Sequence, residues 1–173
     1  MSDSSQPSPF GRYDDSSGDD SMHEVRLLNM PVRLLVSGRQ HHDELMHEFA
    51  LLAVSLEDRD AVPVRMLEMI DMLGTRYGRA ADRPDTLVDE AVARGDEVID
   101  LTYQVPAHVV EAADALERMM DEADEFCSNE QMLTLGRTEV QKRFAKWYLM
   151  EFRRQIAGEP PQAWDGPHDD PEG

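Results

Sequence analysis

The chain lacks most of what usually announces a chemistry. It has one cysteine, Cys127, in 173 residues, so no disulfide can form within it. That excludes a disulfide-built scaffold and fits a reducing cytoplasm, the location expected here. Lysine is nearly missing, with Lys142 and Lys146 set against 15 arginines. With abundant Ala, Asp and Val, this bias points to a GC-rich genome of the actinobacterial kind. The longest uncharged apolar run, Phe49 to Leu56, falls far short of the roughly 20 residues that cross a bilayer. No basic segment followed by an apolar one opens the chain, so no signal peptide is expected. Gly-x-Gly-x-x-Gly, the Walker phosphate loop and the Gly-x-Ser-x-Gly elbow are all missing. No cofactor and no catalytic residue are therefore expected.

What the chain does have is negative charge. The net value is −19, of which residues 1–22 carry −4 and residues 159–173 carry −5. Such a field repels nucleic acid and anionic membranes, so neither is an expected partner. Residues 1–22 are rich in Ser, Asp, Gly and Pro and too polar to offset the entropy of ordering. They read as a disordered acidic tail. Residues 23–158 read as a single globular domain, and 159–173 as an acidic, Pro-rich tail in which Trp164 is placed to fold back.

The domain is organised around Val98 to Cys127. Ile99, Leu101, Tyr103 and Val105 alternate with Asp100, Thr102 and Gln104, the period of a half-buried strand. Pro106 cannot donate to a ladder and suits the first turn of a helix. After it, Val109, Ala112, Ala113, Leu116, Met120 and Ala123 form a stripe at helical spacing. The same unit occurs earlier. Val25 to Met30 leads through Pro31 into a helix from Val32 to Leu56, and Pro31 lies 75 positions before Pro106. At that offset Leu34, Leu35 and Leu45 align with Val109, Val110 and Met120. Two such units predict strands side by side with both helices on one face. Further helices are predicted over Val64–Tyr77, stopped by Gly78, then from Pro84 to Gly95, and from Thr138 to Ala157. Met132 to Leu135 reads as a third strand or a packed loop. The fold class is α+β, mostly helical, with about five helices and a small two- or three-stranded sheet.

Four residue groups could carry function. His41, Glu44, His47 and Glu48 form the densest polar cluster and are the metal candidates; Glu44-x-x-His47 has the spacing of di-iron bundles. No second Glu-x-x-His is present, and a solvated helix face with incidental histidines is the simpler reading of the cluster. Cys127 follows Asp124 and Glu125, which raise a thiol pKa, so it reads as a small buried residue. Met66, Met69, Met72, Met119, Met120, Met132 and Met150 could line an adaptable groove or simply fill a core. Trp147, Tyr148, Arg153, Arg154 and Trp164 are the types that dominate interfaces and are the candidates for a protein partner. Alternatively they fix the last helix to its own core.

The run Ile99-Asp-Leu-Thr-Tyr-Gln-Val-Pro106-Ala with its Ala-rich helix resembles the opening of anti-sigma histidine-kinase-like ATPases. That family's asparagine-bearing helix and Asp-x-Gly-x-Gly loop have no counterpart here, so its ATP site does not carry over. VRLLNMPVRLL, HHDELMHEFALLA and KWYLMEFRRQIAGEPPQAW resemble actinobacterial proteins associated with phosphatase, anti-sigma kinase and antagonist modules. The resemblance spans most of residues 24–164. It implies a partner-switching or sigma-factor circuit and supplies no catalytic residue. The expected function is a non-enzymatic cytoplasmic regulator acting by protein–protein contact, with a homodimer left open. The alternative is a metal-binding helical protein or metalloenzyme.

Overall fold

Alternation decides the strands. In the computed structural model, residues 21–55, 61–129 and 133–169 are described, apart from the side chains of 73, 74 and 76–83. The expected N-terminal tail lies outside the described residues up to position 20, as does Met132. Strand β1 (Met22–Pro31) buries Val25 and Leu27, and strand β2 (Val98–Pro106) buries Leu101 and Val105. Glu24, Arg26, Thr102 and Gln104 face water. The strands pair antiparallel as a two-stranded sheet, with Val25 opposite Tyr103 and Leu27 opposite Leu101.

One irregularity re-aims the end of β1. Leu27 faces Leu101 but Met30 faces Ile99, so β1 carries an extra residue against Asp100, a β-bulge. Strict alternation would turn Asn29 inward; the bulge buries Met30 instead. Asn29 adopts a left-handed φ of 58°, which asparagine tolerates better than most residues. Its backbone N–H donates to Asp100 Oδ1 at 2.8 Å, and its side-chain amide donates to the Trp164 carbonyl at 2.8 Å.

Each strand ends at its proline, which withholds a ladder hydrogen bond. Helix α1 (Val32–Ser55) follows β1, and α3 (Val109–Asn129) follows β2 after a short turn. Helix α2 (Val62–Arg94) runs unbroken through Gly78 and Pro84, where the sequence predicts a stop and a restart. Glycine costs a helix about 1 kcal/mol and proline about 3. Burial of Met66, Val88 and Ala91 on its two halves holds the helix across both. Gly95 ends it, with a left-handed φ of 74°. Helix α4 (Glu139–Ile156) starts from the predicted Thr138 cap. The Thr138 hydroxyl accepts from the Gln141 N–H, and the Gln141 side chain accepts from the Thr138 N–H. Residues 133–136 form a loop, not a strand.

The two halves exchange helices. α2 packs on β2 and α4 on β1, while α1 packs on α2, α3 on α4, α2 on α3 and α1 on α4. Swapping the halves leaves this pattern nearly unchanged, as an internal two-fold would. The buried side chains fall into two clusters. One joins the sheet to α4 with Leu34, Val88 and Phe144. The other joins Leu45 and Phe49 of α1, Met66 of α2, and Ala123 and Cys127 of α3.

The segment after α4 returns to β1, as expected for Trp164. The Trp164 N–H donates to the Leu28 carbonyl at 3.0 Å. Its ring, 2% exposed, meets Phe144 edge-on at 5.2 Å and lies beneath the Arg143 guanidinium. The nearby Glu151 carboxylate, 1% exposed, is fully engaged, accepting from Arg154, Gln155 and the Gln162 N–H. Trp164→Ala is expected to cost about 3–5 kcal/mol in urea unfolding. Val54→Ala, at an exposed position, should stay within about 0.5 kcal/mol.

Candidate functional site

Helices α1 and α3 leave the sheet in equivalent positions but are not close neighbours along their length. Only toward their far ends do long side chains bridge them, where the Phe49 and Phe126 rings meet at 5.8 Å. Between the two core clusters this spacing leaves a cavity of about 480 Å³. Its walls reproduce the repeat. Gly38, His41 and Leu45 of α1 line it opposite Ala113, Leu116 and Met120 of α3, each pair 75 positions apart. Gly38 and Ala113 keep the walls thin. Met66 and Ile70 of α2 close one side, and Tyr103, Tyr148 and Phe152 close the sheet side.

The lining is mainly apolar, and most polar groups in it are already paired. The Tyr148 hydroxyl donates to the Tyr103 oxygen at 2.7 Å. Burial raises both phenol pKa values, so the pair stays neutral. Arg137, at the rim, donates to both Asp124 and Asp121, and its backbone N–H also donates to Asp124. Its charge is therefore balanced on the spot.

His41 breaks this pattern. Its Nε2 is buried without a hydrogen-bond partner, the one side-chain atom in that condition among the described residues. An orphaned buried polar atom costs roughly 1–3 kcal/mol. Burial lowers the His41 pKa, and the Arg137 and His42 charges push the same way, while Asp124 and Glu44 oppose them. The imidazole is held neutral. At the matching position α3 carries Leu116.

The remaining metal candidates do not join it. Glu44 accepts from Gln40, His47 is exposed, and Glu48 accepts from the N–H groups of Leu133 and Thr134. Among the described residues no three His, Cys, Asp or Glu side chains gather to hold a metal ion. Glu48 is instead the anchor of the 133–136 loop; burial raises its pKa, but the hydrogen bonds from the Thr134 side chain and from the Thr134 and Leu133 N–H groups together outweigh it, and the pKa is lowered. Cys127 is buried, which pushes its thiol up to about 11. Of the methionines, Met66 and Met120 line the cavity while Met72 and Met150 are exposed.

The five interface candidates are all engaged within the chain. Trp147 donates to the Gln162 carbonyl, and Tyr148 and Trp164 are placed as above. Arg153 pairs with Asp114 and Glu117 of α3, and Arg154 with Glu151 and Glu159. Sequence reasoning missed the cavity; its only signal was the small residues Gly38 and Ala113 at matching points of the repeat. No protein-family profile, curated protein or solved structure matches the chain.

The lowered His41 pKa gives a direction for stability. The unfolded chain takes up the His41 proton more readily than the native one, so stability falls as pH drops below about 6.5. The groups facing His41 are Glu44 and His42 on its own helix, Asp124 of α3 and Arg137. His41→Leu should remove this component. Between pH 7.5 and 5.5 the variant is expected to lose less of its melting temperature than the parent, as measured by circular dichroism.

Proposed function

We propose that this chain is a non-enzymatic regulatory protein, acting through protein–protein contact, whose cavity between α1 and α3 takes up a small apolar molecule. The cavity carries this reading. Its volume falls within the roughly 300–1,000 Å³ of ligand sites, and its walls are preformed by four helices and a strand. The cavity is partly open to solvent, so an apolar molecule seated in it takes apolar wall out of contact with water. With the phenols neutral and Arg137 balanced, the walls are suited to holding a molecule rather than to transforming it.

An apolar surface at one end supports the protein-contact half. Leu133 and Leu135 are 94% and 78% exposed, on the loop that Glu48 ties to α1, and Leu51 and Val54 are exposed farther along that helix. No helix among the described residues is long and apolar enough to cross a membrane. A cytoplasmic partner-switching circuit, the setting implied by the sequence resemblance, belongs to the same proposal.

Thermal unfolding against a panel of alkyl and aryl compounds tests the site. A ligand at about 100 times its Kd stabilises by about 2.7 kcal/mol, or about 5–10 °C in a chain of this size. Ala113→Phe, which fills the cavity, should abolish the shift. Leu133→Asp with Leu135→Asp should keep the shift and lose a stoichiometric partner in affinity capture from the native host. A panel without any shift would overturn the ligand half.

A further inference from the structure

We infer that the molecule taken up is a neutral carbonyl compound, an apolar body with one C=O group, seated with that oxygen on the tyrosine pair at the sheet side of the cavity. This rests on the ligand-binding reading above and names the class of ligand.

Tyr103 and Tyr148 both form the cavity wall, and both are only partly buried. Their oxygens lie 2.7 Å apart and share one hydrogen bond. Two neutral phenols carry two hydroxyl protons, and that bond uses one of them. Whichever ring donates, the O–H of the other is left over. Among the described residues no other group is hydrogen-bonded to either hydroxyl. Burial keeps both phenols protonated, so the spare donor persists through the neutral range. The rest of the wall offers a ligand little else to bond. His41 Nε2 is closed off from the cavity, and Asp124 and Arg137 are spent on each other at the rim. The polar anchor for a bound molecule is therefore the phenol pair.

The head group follows from what that anchor lacks. A spare O–H calls for an acceptor, and a carbonyl oxygen supplies one while bringing no proton of its own to place. A hydroxyl or an amide N–H would bring a further donor into a wall poor in polar groups. A carboxylate fits poorly, because Arg137 is already committed to Asp121 and Asp124, and Arg39 to Asp85 and Asp89. A buried anion without a free partner is costly. A cationic head fits poorly as well, since the neutral phenols offer it no charge. The body must be apolar because Leu45, Met66, Ile70 and Leu116 surround it. Met66 and Met120 let the walls adapt to its shape.

The test is a cycle of two ligands and two proteins, read by calorimetry on the full chain. The ligands are 2-nonanone and 2-chlorononane, which share a skeleton and differ in the acceptor. The proteins are the parent and the double variant Tyr103→Phe with Tyr148→Phe. Both changes are needed, because either phenol left alone keeps a proton to donate. Removing both partners of a buried pair at constant shape is close to neutral for stability. Each ligand partitions from water differently, so the informative quantity is how the ketone-to-chloride affinity ratio changes between proteins. A hydrogen bond of ordinary strength predicts a fall of about five- to tenfold in the double variant. In the parent, the 13C resonances of the two tyrosine Cζ atoms should move with 2-nonanone and stay fixed with 2-chlorononane. That readout needs no variant and holds even if the double variant fails to fold. Binding of both ligands with an unchanged ratio, or with Cζ resonances that do not distinguish them, would overturn the carbonyl assignment while leaving the cavity as a ligand site. No binding of either ligand to the parent, up to the solubility limit, would overturn the ligand-binding reading itself.

Discussion

Everything in the fold depends on the pairing of β1 with β2. A two-stranded ribbon is marginal in water, and gains independent stability only when a hydrophobic face is covered. Here each half covers the strand of the other: α2 lies on β2 and α4 on β1. Neither half is complete alone, because the strand of each is closed by a helix belonging to the opposite arm or by the strand across the ladder. The prolines at both strand ends make the ladder short, and send the chain into α1 and α3 from matching places.

The cavity is a consequence of that geometry. Two helices launched from adjacent antiparallel strands diverge, and the helices that pack beneath them reach only their flanks. Phe49 and Phe126 close the gap at one end, and the tyrosine pair closes it at the other. Between them Gly38 and Ala113 contribute almost no side chain. Filling that space would need larger residues at these two points, and the sequence supplies small ones.

The strand–proline–helix units were legible because their signals are local: a period of two, a proline, then a period near four. Thr138 as a cap and Gly95 as a stop were legible for the same reason. The β-bulge was not, since it depends on which residue of β2 stands opposite Leu28 and Asn29. The continuity of α2 was not either, because burial at its two ends outweighs two glycines and a proline in between. His41 was visible as a chemical residue, but its surroundings were not. Helical spacing grouped it with Glu44 and Glu48, whereas three-dimensional packing turns it inward alone and spends Glu48 on the backbone of a loop 85 positions away. The paired arginines show the same limit: Arg153 and Arg154 advertise an interface in the sequence, and the acidic residues that absorb them come from α3 and from the segment beyond α4.

The contact between Asn29 and Trp164 joins residues 135 positions apart. Synthesis runs at about 5–20 residues per second, so β1 waits on the order of 10 s for the tryptophan that shields its edge. Its ladder partner, β2, also arrives only after two full helices have been made. During that interval the nascent chain presents an apolar strand with an open edge, the kind of surface that invites association with other chains. Its solvent-facing Glu24 and Arg26, and the fixed left-handed turn at Asn29, are the features of β1 itself that disfavour such pairing before its own partner arrives.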